Sequence, residues 1–405
     1  MNVEIRPCRD AEEMAAYNRI VNYVFANNDP EGMAPDAPTL ADWTTCAFVD
    51  GHLATTLGSL PFTVRMNGAP VPMGGVTQVG TLPQFRRRGL LRKVMAEALT
   101  TMRERGQNYA ILWASMAAIY QRFGYGAASQ NVRYRFDPRF AAIHRSGPET
   151  GEVSLETAED AFPTIKQVYI QAATPRNLHI HRSTVLWHVG TLRPDPKDLK
   201  VHVAVYRNSD GEARGYVVYT TKEDQRPEPG PNHKLTVQDF VWLDLDAYRA
   251  LWEYLRRHDL VGTVEMRHVA PDDPAPALLL EPRMLNRRTL DGIWMRVVDV
   301  ERGVPQRPYG AHGELTFAVE GDDLCPWNNG TFLLETDGPT SEIRRVTGGA
   351  QLTVSPNGLA SLVSGRYSAS FLAHAGLAEA RDRESLLTAD ALFRTEHAPY
   401  CPNDF

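Results

Sequence analysis

A run of three arginines lies between an apolar stretch and the most clearly amphipathic stretch of the 405-residue chain. From Val79 to Arg92 the sequence reads VGTLPQFRRRGLLR, so Gly89 directly follows the arginines. A helix N-terminus presents unpaired N–H groups and a partial positive charge, and arginines add charge and donors. Glycine lets the backbone approach a phosphate because it has no Cβ. The pattern predicts an anion site; a solvated basic turn capping a core helix is the alternative.

Hydrophobic periodicity predicts the elements that position this turn. An apolar strand precedes it at residues 76–82, and a short apolar run at residues 109–114 is typical of a buried strand. Residues 89–105 have a one-sided apolar pattern at helical spacing, which predicts a helix. Its apolar face comprises Leu90, Leu91, Val94, Met95, Ala98, Leu99 and Met102. Gly106 follows as the expected C-terminal cap.

The order strand, Asp-Gly turn, strand, strand, helix, strand occurs twice, starting near residues 45 and 201. We interpret this as a duplicated fold, with chance similarity between two α/β segments as the alternative. The second copy reads DLDAYRALWEY from Asp244 to Tyr254 where the first has its basic turn. Its aspartates would repel an anion, so we expect one active copy and one scaffold copy.

A second motif, ASMAAIYQRFGYG from Ala114 to Gly126, follows the arginine turn. Together, at this spacing, the two motifs resemble the enhanced intracellular survival (Eis) family of the GNAT superfamily of N-acetyltransferases. The resemblance implies an α+β protein with two tandem GNAT-like α/β domains and a C-terminal domain resembling sterol carrier proteins. We expect the catalytic GNAT domain at residues 1–150, a second copy without a CoA site at 151–287, and the sterol-carrier-like domain, supplying the C-terminal carboxylate, at 288–405.

The resemblance also implies an acetyl-CoA site. The backbone of Val79, Gly80 and Thr81 would meet the pantetheine arm, and Ser115 and Met116 would border it. Met116 departs from the acidic residue associated with that position. The residues that would wrap the pyrophosphate are Arg87, Arg88, Gly89, Leu90, Leu91 and Arg92.

For catalysis, the resemblance implies Tyr120 as general acid and the C-terminal carboxylate, on Phe405, as general base. A primary amine, with a pKa of about 10.4, is mostly protonated at neutral pH and must lose a proton before it attacks a thioester. A nearby carboxylate can take that proton, and a tyrosine hydroxyl can protonate the departing thiolate. On pattern alone, Tyr120 is an ordinary packed aromatic residue and the tail is mobile. Tyr125 is the rival for the acid role.

Three residues of the first helix and the loop after it, Phe25, Asp29 and Trp43, are the candidates for substrate contact. Aromatic and acidic side chains suit a cationic amine; a polar loop with one packed tryptophan is the alternative. The resemblance implies small polycationic acceptors, such as aminoglycosides or polyamines, and a homo-oligomer, a hexamer. The alternative functions are acetylation of protein lysines or N-termini, and CoA or lipid binding without turnover.

Composition limits the other function classes. The formal net charge of −6 gives no bulk field to attract nucleic acid. No apolar run reaches the roughly 18 residues that span a bilayer, and the first residues lack a signal-peptide pattern, so we expect a cytoplasmic protein. Four scattered cysteines form no CxxC pair, and His179, His181 and His188 have no accompanying ligand cluster. We therefore expect no metal.

Overall fold

A computed structural model describes residues 2–26, 39–144, 151–193, 200–224 and 230–405. Its strands are β1 (Val3–Arg6), β2 (Cys46–Val49), β3 (His52–Met66), β4 (Ala69–Thr81), β5 (Tyr109–Trp113), β6 (Gly126–Ala127), β7 (Gln130–Phe136), β8 (Glu152–Glu156), β9 (Val201–Arg207), β10 (Ala213–Glu223), β11 (His233–Trp242), β12 (Val261–Val269), β13 (Arg288–Asp291), β14 (Ile293–Val297), β15 (Gly313–Val319), β16 (Gly330–Thr336), β17 (Ser341–Arg345), β18 (Leu352–Val354) and β19 (Ala378–Ala380). Its α-helices are α1 (Ala11–Val24), α2 (Leu90–Glu104), α3 (Ala117–Gln121), α4 (Ala158–Ala173), α5 (Thr184–Leu186), α6 (Leu245–Arg256), α7 (Ala275–Leu278), α8 (Val300–Gly303), α9 (Pro356–Val363), α10 (Ala369–His374) and α11 (Arg383–Phe393).

The first sheet has the order β1-β2-β3-β4-β5-β14-β6 and carries a helix on each face. Two adjacent glycines in β4 show how closely the faces are packed. A Cβ at Gly74 would lie 2.6 Å from the Met102 sulfur of α2, and one at Gly75 would lie 2.2 Å from the Phe62 ring. Because successive strand residues point to opposite faces, Phe62 lies on the face away from α2.

The helix predicted at residues 89–105 is confirmed as α2, whose buried residues form the predicted apolar face. It ends before Gly106, which has a φ of 72°. The Asp50-Gly51 turn is also confirmed, with φ values of 48° and 85°, the backbone that a two-residue hairpin favours. By contrast, β4 starts at Ala69, well before the predicted residue 76, because prolines in residues 69–75 disguise the strand pattern.

The second sheet repeats this plan in the order β13-β7-β12-β11-β10-β9-β8. As in the pair β4 and β5, its strands β11 and β12 are parallel and joined by one amphipathic helix, here α6. The buried face of α6 packs Tyr248, Leu251 and Trp252 into the core of this sheet. The two sheets therefore share one topology built from different residues.

Strands are exchanged between the two halves of this repeat. Strand β14 follows the second copy in the chain but pairs with β5 and β6 of the first sheet, whereas β7 pairs with β12 and β13. Consequently one compact unit comprises Met1–Ser129, Gly292–Pro399 and Asp404–Phe405, and the other comprises Gln130–Asp291 and Tyr400–Asn403. The domain limits at residues 150 and 287 stay predictions.

The third sheet, β17-β16-β15-β18-β19, packs with α9, α10 and α11. In the described part of the chain, no helix is long and apolar enough to cross a membrane.

Candidate functional site

An opening in the first sheet lies where β4 and β5 separate. The two parallel strands pair only from Met73 to Gly75 on β4 and from Tyr109 to Ile111 on β5. Beyond that point β4 continues to Thr81 while still paired with β3. Among the described residues, no strand pairs with Val79–Thr81 on the β5 side of β4, so this stretch can receive an extended ligand.

A β-bulge shapes the middle of this edge. Gln78 has a φ of 54°, and it and Val79 fall outside the β3–β4 register. The Gln78 side-chain oxygen accepts hydrogen bonds from the hydroxyls of Tyr17 and Thr39, at 2.8 and 2.9 Å. The Thr56 hydroxyl donates to the Gln78 carbonyl at 2.9 Å. The bulge, which the sequence analysis missed, turns the Val79 backbone out of the regular ladder.

The arginine turn leads directly from β4 into α2. Arg86 donates from Nε to the Thr81 carbonyl at 2.9 Å, which closes the turn against the strand. Arg87 has a φ of 61° and Gly89 a φ of 73°. Gly89 caps α2 without a side-chain hydrogen bond, so the first-turn N–H groups of the helix remain available. Arg87, Arg88 and Arg92 are exposed, and a Cβ at Gly89 would meet only open space.

Ser115, Met116 and Tyr120 follow the end of β5. Because β4 and β5 are adjacent and parallel, their C-terminal ends lie at one edge of the sheet, next to the arginine turn. Ser115 and Met116 are exposed there. Tyr120, on the short helix α3, is only 7% exposed and packs in the same apolar cluster as Leu90. Burial raises the pKa of Tyr120 to about 12, so the hydroxyl keeps its proton at neutral pH.

Tyr125 is placed differently, although its ring centroid lies 6.0 Å from that of Tyr120. It is fully buried, and its hydroxyl donates to the Met95 sulfur at 3.7 Å. Burial raises the pKa of Tyr125 far above its ordinary value. Tyr125 has no exposed surface and Tyr120 keeps 7% of its own, which favours Tyr120 as the residue that meets a ligand.

Two distant side chains hold the segment that carries Tyr120. Asn357, on α9, donates from Nδ2 to the carbonyl oxygens of Gln121 at 2.9 Å and Tyr125 at 2.7 Å. Arg296, on β14, donates from Nη1 to the Phe123 carbonyl at 2.6 Å. A helix of five residues has little stability of its own, so these donors fix its end. Neither residue carries a local sequence signal.

Phe405 lies on the sheet face opposite α2. Its ring meets that of Phe62 edge-on, with centroids 4.9 Å apart. The Phe62 ring in turn covers Gly75, the last β4 residue that pairs with β5 before the strands separate. The structure thus anchors the last side chain of the sequence beside the opening. Phe62 and Gly75 were missed because an aromatic residue diagonally across from a glycine on the neighbouring strand has no distinctive sequence signature.

The three substrate candidates have different positions. Phe25 caps α1 and is 45% exposed. The preceding Val24 lies 3.1 Å from where a Cβ of Gly80 would be, so Phe25 is near β4. Trp43 instead lines a cavity of about 140 Å³ with Glu97 and other residues from the second half of α2, away from Gly89. Asp29 lies outside the described residues.

The corresponding turn of the second copy is closed to anions. Asp244 caps α6 by accepting a hydrogen bond from Ala247 N–H at 2.8 Å, and it pairs with Arg214 at 2.8 Å. A carboxylate therefore already occupies the helix N-terminus, and Asp246 adds a second negative charge in the first turn. Within the described residues, no cluster of His, Cys, Asp and Glu side chains has the composition of a metal site.

Known proteins match this architecture along the whole chain. Residues 4–128 and 178–297 match two acetyltransferase (GNAT) domain families, and residues 300–402 match a sterol carrier protein domain family. An uncharacterized N-acetyltransferase of Streptomyces avermitilis is 31% identical, covering 100% of this chain and 99% of its own length. The N-acetyltransferase Eis of Mycobacterium tuberculosis is 28% identical over 80% of this chain and 79% of its own length.

Solved structures of N-acetyltransferases have the same architecture. The crystal structure of Eis1 from Mycobacterium abscessus is 29% identical, with a TM-score of 0.84 over 100% of both chains. A GCN5-related N-acetyltransferase from Anabaena variabilis, 21% identical, shares the fold with a TM-score of 0.88 over 100% of both chains. The two GNAT domains and the sterol-carrier-like domain define an acetyltransferase of the GNAT type. The chain belongs to the Eis family of these enzymes.

Proposed function

We propose that the chain transfers the acetyl group of acetyl-CoA directly to primary amines of small polycationic molecules, such as aminoglycosides or polyamines. The observation that carries this proposal is that three features meet at one sheet edge. They are the β5 side of Val79–Thr81, which has no strand partner among the described residues, the N-terminus of α2, and the buried Tyr120. Acetyl-CoA supplies the activated acetyl group.

The residues present fit a CoA ligand. The first-turn N–H groups of α2 and the exposed Arg87, Arg88 and Arg92 match a pyrophosphate in charge and in donor geometry. Gly89 has open space where a Cβ would stand, so a phosphate can approach the backbone. The unpaired edge at Val79–Thr81 suits the amide groups of a pantetheine arm, with Ser115 and Met116 at its border.

For the proton transfers, we assign Tyr120 as the acid and the Phe405 carboxylate as the base. Tyr120 holds its proton at neutral pH because burial raises the pKa of its hydroxyl to about 12, and it can give that proton to the departing sulfur. The Phe405 carboxylate can accept the proton of the attacking amine, directly or through water. The Val79 N–H, beside the bulge, is the candidate donor to the carbonyl oxygen on which charge develops.

We place the acceptor site on the face of the first sheet opposite α2. Phe62, Phe405 and Phe25 bring aromatic rings to or near that face, and aromatic faces attract cationic amines. The role of Asp29 stays a prediction. Trp43 also stays a prediction, although its cavity beside the second half of α2 does not support it.

The test is release of CoA thiol from acetyl-CoA in the presence of a panel of acceptors. We expect turnover with aminoglycosides and linear polyamines. Turnover confined to lysine peptides or protein N-termini would favour the protein acetyltransferase. Acetyl-CoA binding without turnover on any acceptor would favour a binding protein. The cytoplasmic location and the homohexameric assembly stay predictions, and light scattering tests the assembly.

A further inference from the structure

The second sheet has an opening at the same place as the first. Strands β11 and β12 pair up to Val237 and Met266 and then separate, and a bulge interrupts the register between β10 and β11. A cavity of about 80 Å³ lies beyond the last pair. It is lined by the two diverging strands and also by Tyr400 and Pro402 of the C-terminal segment. The tail thus lies at the position that corresponds to the acetyl-CoA opening of the first copy.

Asp239, which lines this cavity, belongs to a buried ion pair with Arg182. Arg182 donates to the Asp239 carboxylate from Nη1 at 2.5 Å and from Nη2 at 3.2 Å, and the Tyr216 hydroxyl donates to the same carboxylate at 2.6 Å. The guanidinium also lies 3.8 Å from the ring centroid of Tyr169 and 4.7 Å from that of Trp187. Arg182 and Asp239 are 3% and 8% exposed, so their orientation is fixed by packing on every side.

The tail supplies a further hydrogen-bond partner of Arg182. The Asn403 side-chain oxygen accepts from Arg182 Nε at 3.3 Å. The Tyr169 hydroxyl lies 3.5 Å from the same oxygen but donates its hydrogen to the Ile180 carbonyl at 2.7 Å. The Tyr400 N–H donates to the Asn177 carbonyl at 3.1 Å. Tyr400, Cys401 and Asn403 are all less than a tenth exposed. The tail is therefore fixed to the second sheet by a side-chain and a backbone hydrogen bond, whereas most chain ends are solvated and poorly ordered.

We propose that the second GNAT copy has become the holder of the C-terminal tail, and that Asn403 and Arg182 are positioning residues for the Phe405 carboxylate. Asn403 is two residues before Phe405, and two residues span at most about 7 Å. Fixing Asn403 on Arg182 therefore limits where the terminal carboxylate can lie, while the contact with Phe62 orients the terminal ring. This inference rests on the proposed function of that carboxylate as the base.

A role in holding the tail also accounts for a charged residue, Asp239, in the second copy. Asp239 carries a negative charge at the strand edge where the first copy has only uncharged residues from 76 to 82. Once paired with Arg182, this carboxylate orients the guanidinium so that its Nε–H points to Asn403. The opening is thus adapted to an amide of the chain itself rather than to a thioester ligand.

The first experiment replaces Asn403 by alanine in the full chain. We expect turnover to fall about tenfold or more, because a displacement of about 1 Å at a reacting group is costly. Acetyl-CoA affinity by calorimetry should stay within about twofold, because the arginine turn is untouched. Asn208→Ala is the matched control: it removes an asparagine that caps the β9–β10 hairpin of the same unit through Asp210 N–H and Glu212 N–H. It should leave turnover unchanged.

The second experiment combines Asn403→Ala with a short extension after Phe405, which moves the terminal carboxylate away. If Asn403 acts through that carboxylate, the double change should be no slower than the extension alone. Equal slowing of the normal and the extended chain would overturn the proposal and make Asn403 merely structural. Normal turnover of Asn403→Ala, with the extension still harmful, would also overturn it.

The same measurements distinguish failure of the positioning role of Asn403 from failure of the proposed acetyltransferase function. If an extension leaves turnover unchanged, the terminal carboxylate is not the base. If the unaltered chain shows no turnover with any acceptor, the proposed acetyltransferase function is wrong. If Asn403→Ala does not fold, Asn403→Leu replaces it. Leucine keeps the buried volume but has no oxygen to accept from Arg182 Nε, and the same comparison with the extended chain decides the outcome.

Discussion

Asn357 donates a hydrogen bond from Nδ2 to the carbonyl oxygen of Tyr125 at 2.7 Å, although 232 residues separate them in the chain. A second bond from the same group reaches Gln121 at 2.9 Å, so the sterol-carrier-like domain braces the segment that carries Tyr120. The sterol-carrier-like domain therefore helps to position Tyr120, the proposed general acid.

Asn357→Ala should lower turnover about tenfold, because Tyr120 loses two supports and small displacements at a reacting group are costly. The lost hydrogen bonds should also reduce the free energy of unfolding by about 1–3 kcal/mol. Ser368→Ala, which removes the cap of α10 in the same domain, is the control for stability alone. Equal turnover in the two variants would show that Asn357 does not position Tyr120.

Replacing Arg87 and Arg88 together by alanine should weaken acetyl-CoA binding. Each charge-assisted contact is worth about 1.5–3 kcal/mol, so calorimetry should show a loss of about a hundredfold or more. Arg105→Ala is the matched control, because this arginine lies at the opposite end of α2 and donates to the Asp42 carbonyl. Unchanged CoA affinity in the double variant would show that the arginine turn does not bind the pyrophosphate.

Tyr120→Phe should leave acetyl-CoA affinity nearly unchanged and lower turnover about a hundredfold or more, because only the proton donor is lost. The pKa of Tyr120 is raised to about 12, so the hydroxyl stays protonated throughout the usual assay range. The shape of the pH profile below about pH 10 should therefore be the same in both proteins. If an alkaline limb in that range disappears from the variant, Tyr120 titrates lower than its burial implies.

Phe62→Ala should impair turnover through the terminal ring. Phe62 is the ring against which Phe405 packs, so its loss frees the end of the tail while the arginine turn stays intact. We expect turnover to fall about tenfold or more, with acetyl-CoA affinity by calorimetry near normal. Phe140→Ala, an exposed phenylalanine outside the site, serves as control. Undiminished turnover of Phe62→Ala would show that this contact does not matter for the base.

A titration should find one CoA per chain. The second copy offers a carboxylate, Asp244, at the helix N-terminus where a phosphate would need free N–H groups. Asp244→Ala removes that charge without adding the missing arginines, so it should still bind no second CoA. Two equivalent CoA molecules per unaltered chain would contradict the assignment of the second copy as a scaffold.

Local chemistry was enough to predict the turn at Gly89 and the helix that follows it. The spacing of apolar residues determines which face of α2 is buried, and glycine after three arginines leaves the helix N-terminus uncapped by a side chain. These features arise within about thirty residues, so they can be recognised from the sequence. The repeat was recognisable for the same reason, since each copy has its own Asp-Gly turn and amphipathic helix.

Only the tertiary structure decided what surrounds the turn. Strand β14 completes the first sheet from beyond the second copy, Asn357 and Arg296 brace the Tyr120 segment, and Arg182 holds the tail through Asn403. Each of these contacts joins residues more than 150 positions apart. Hydrophobic periodicity reports which face of an element is buried but not which distant strand or side chain covers it, because many apolar and polar partners satisfy the same local pattern.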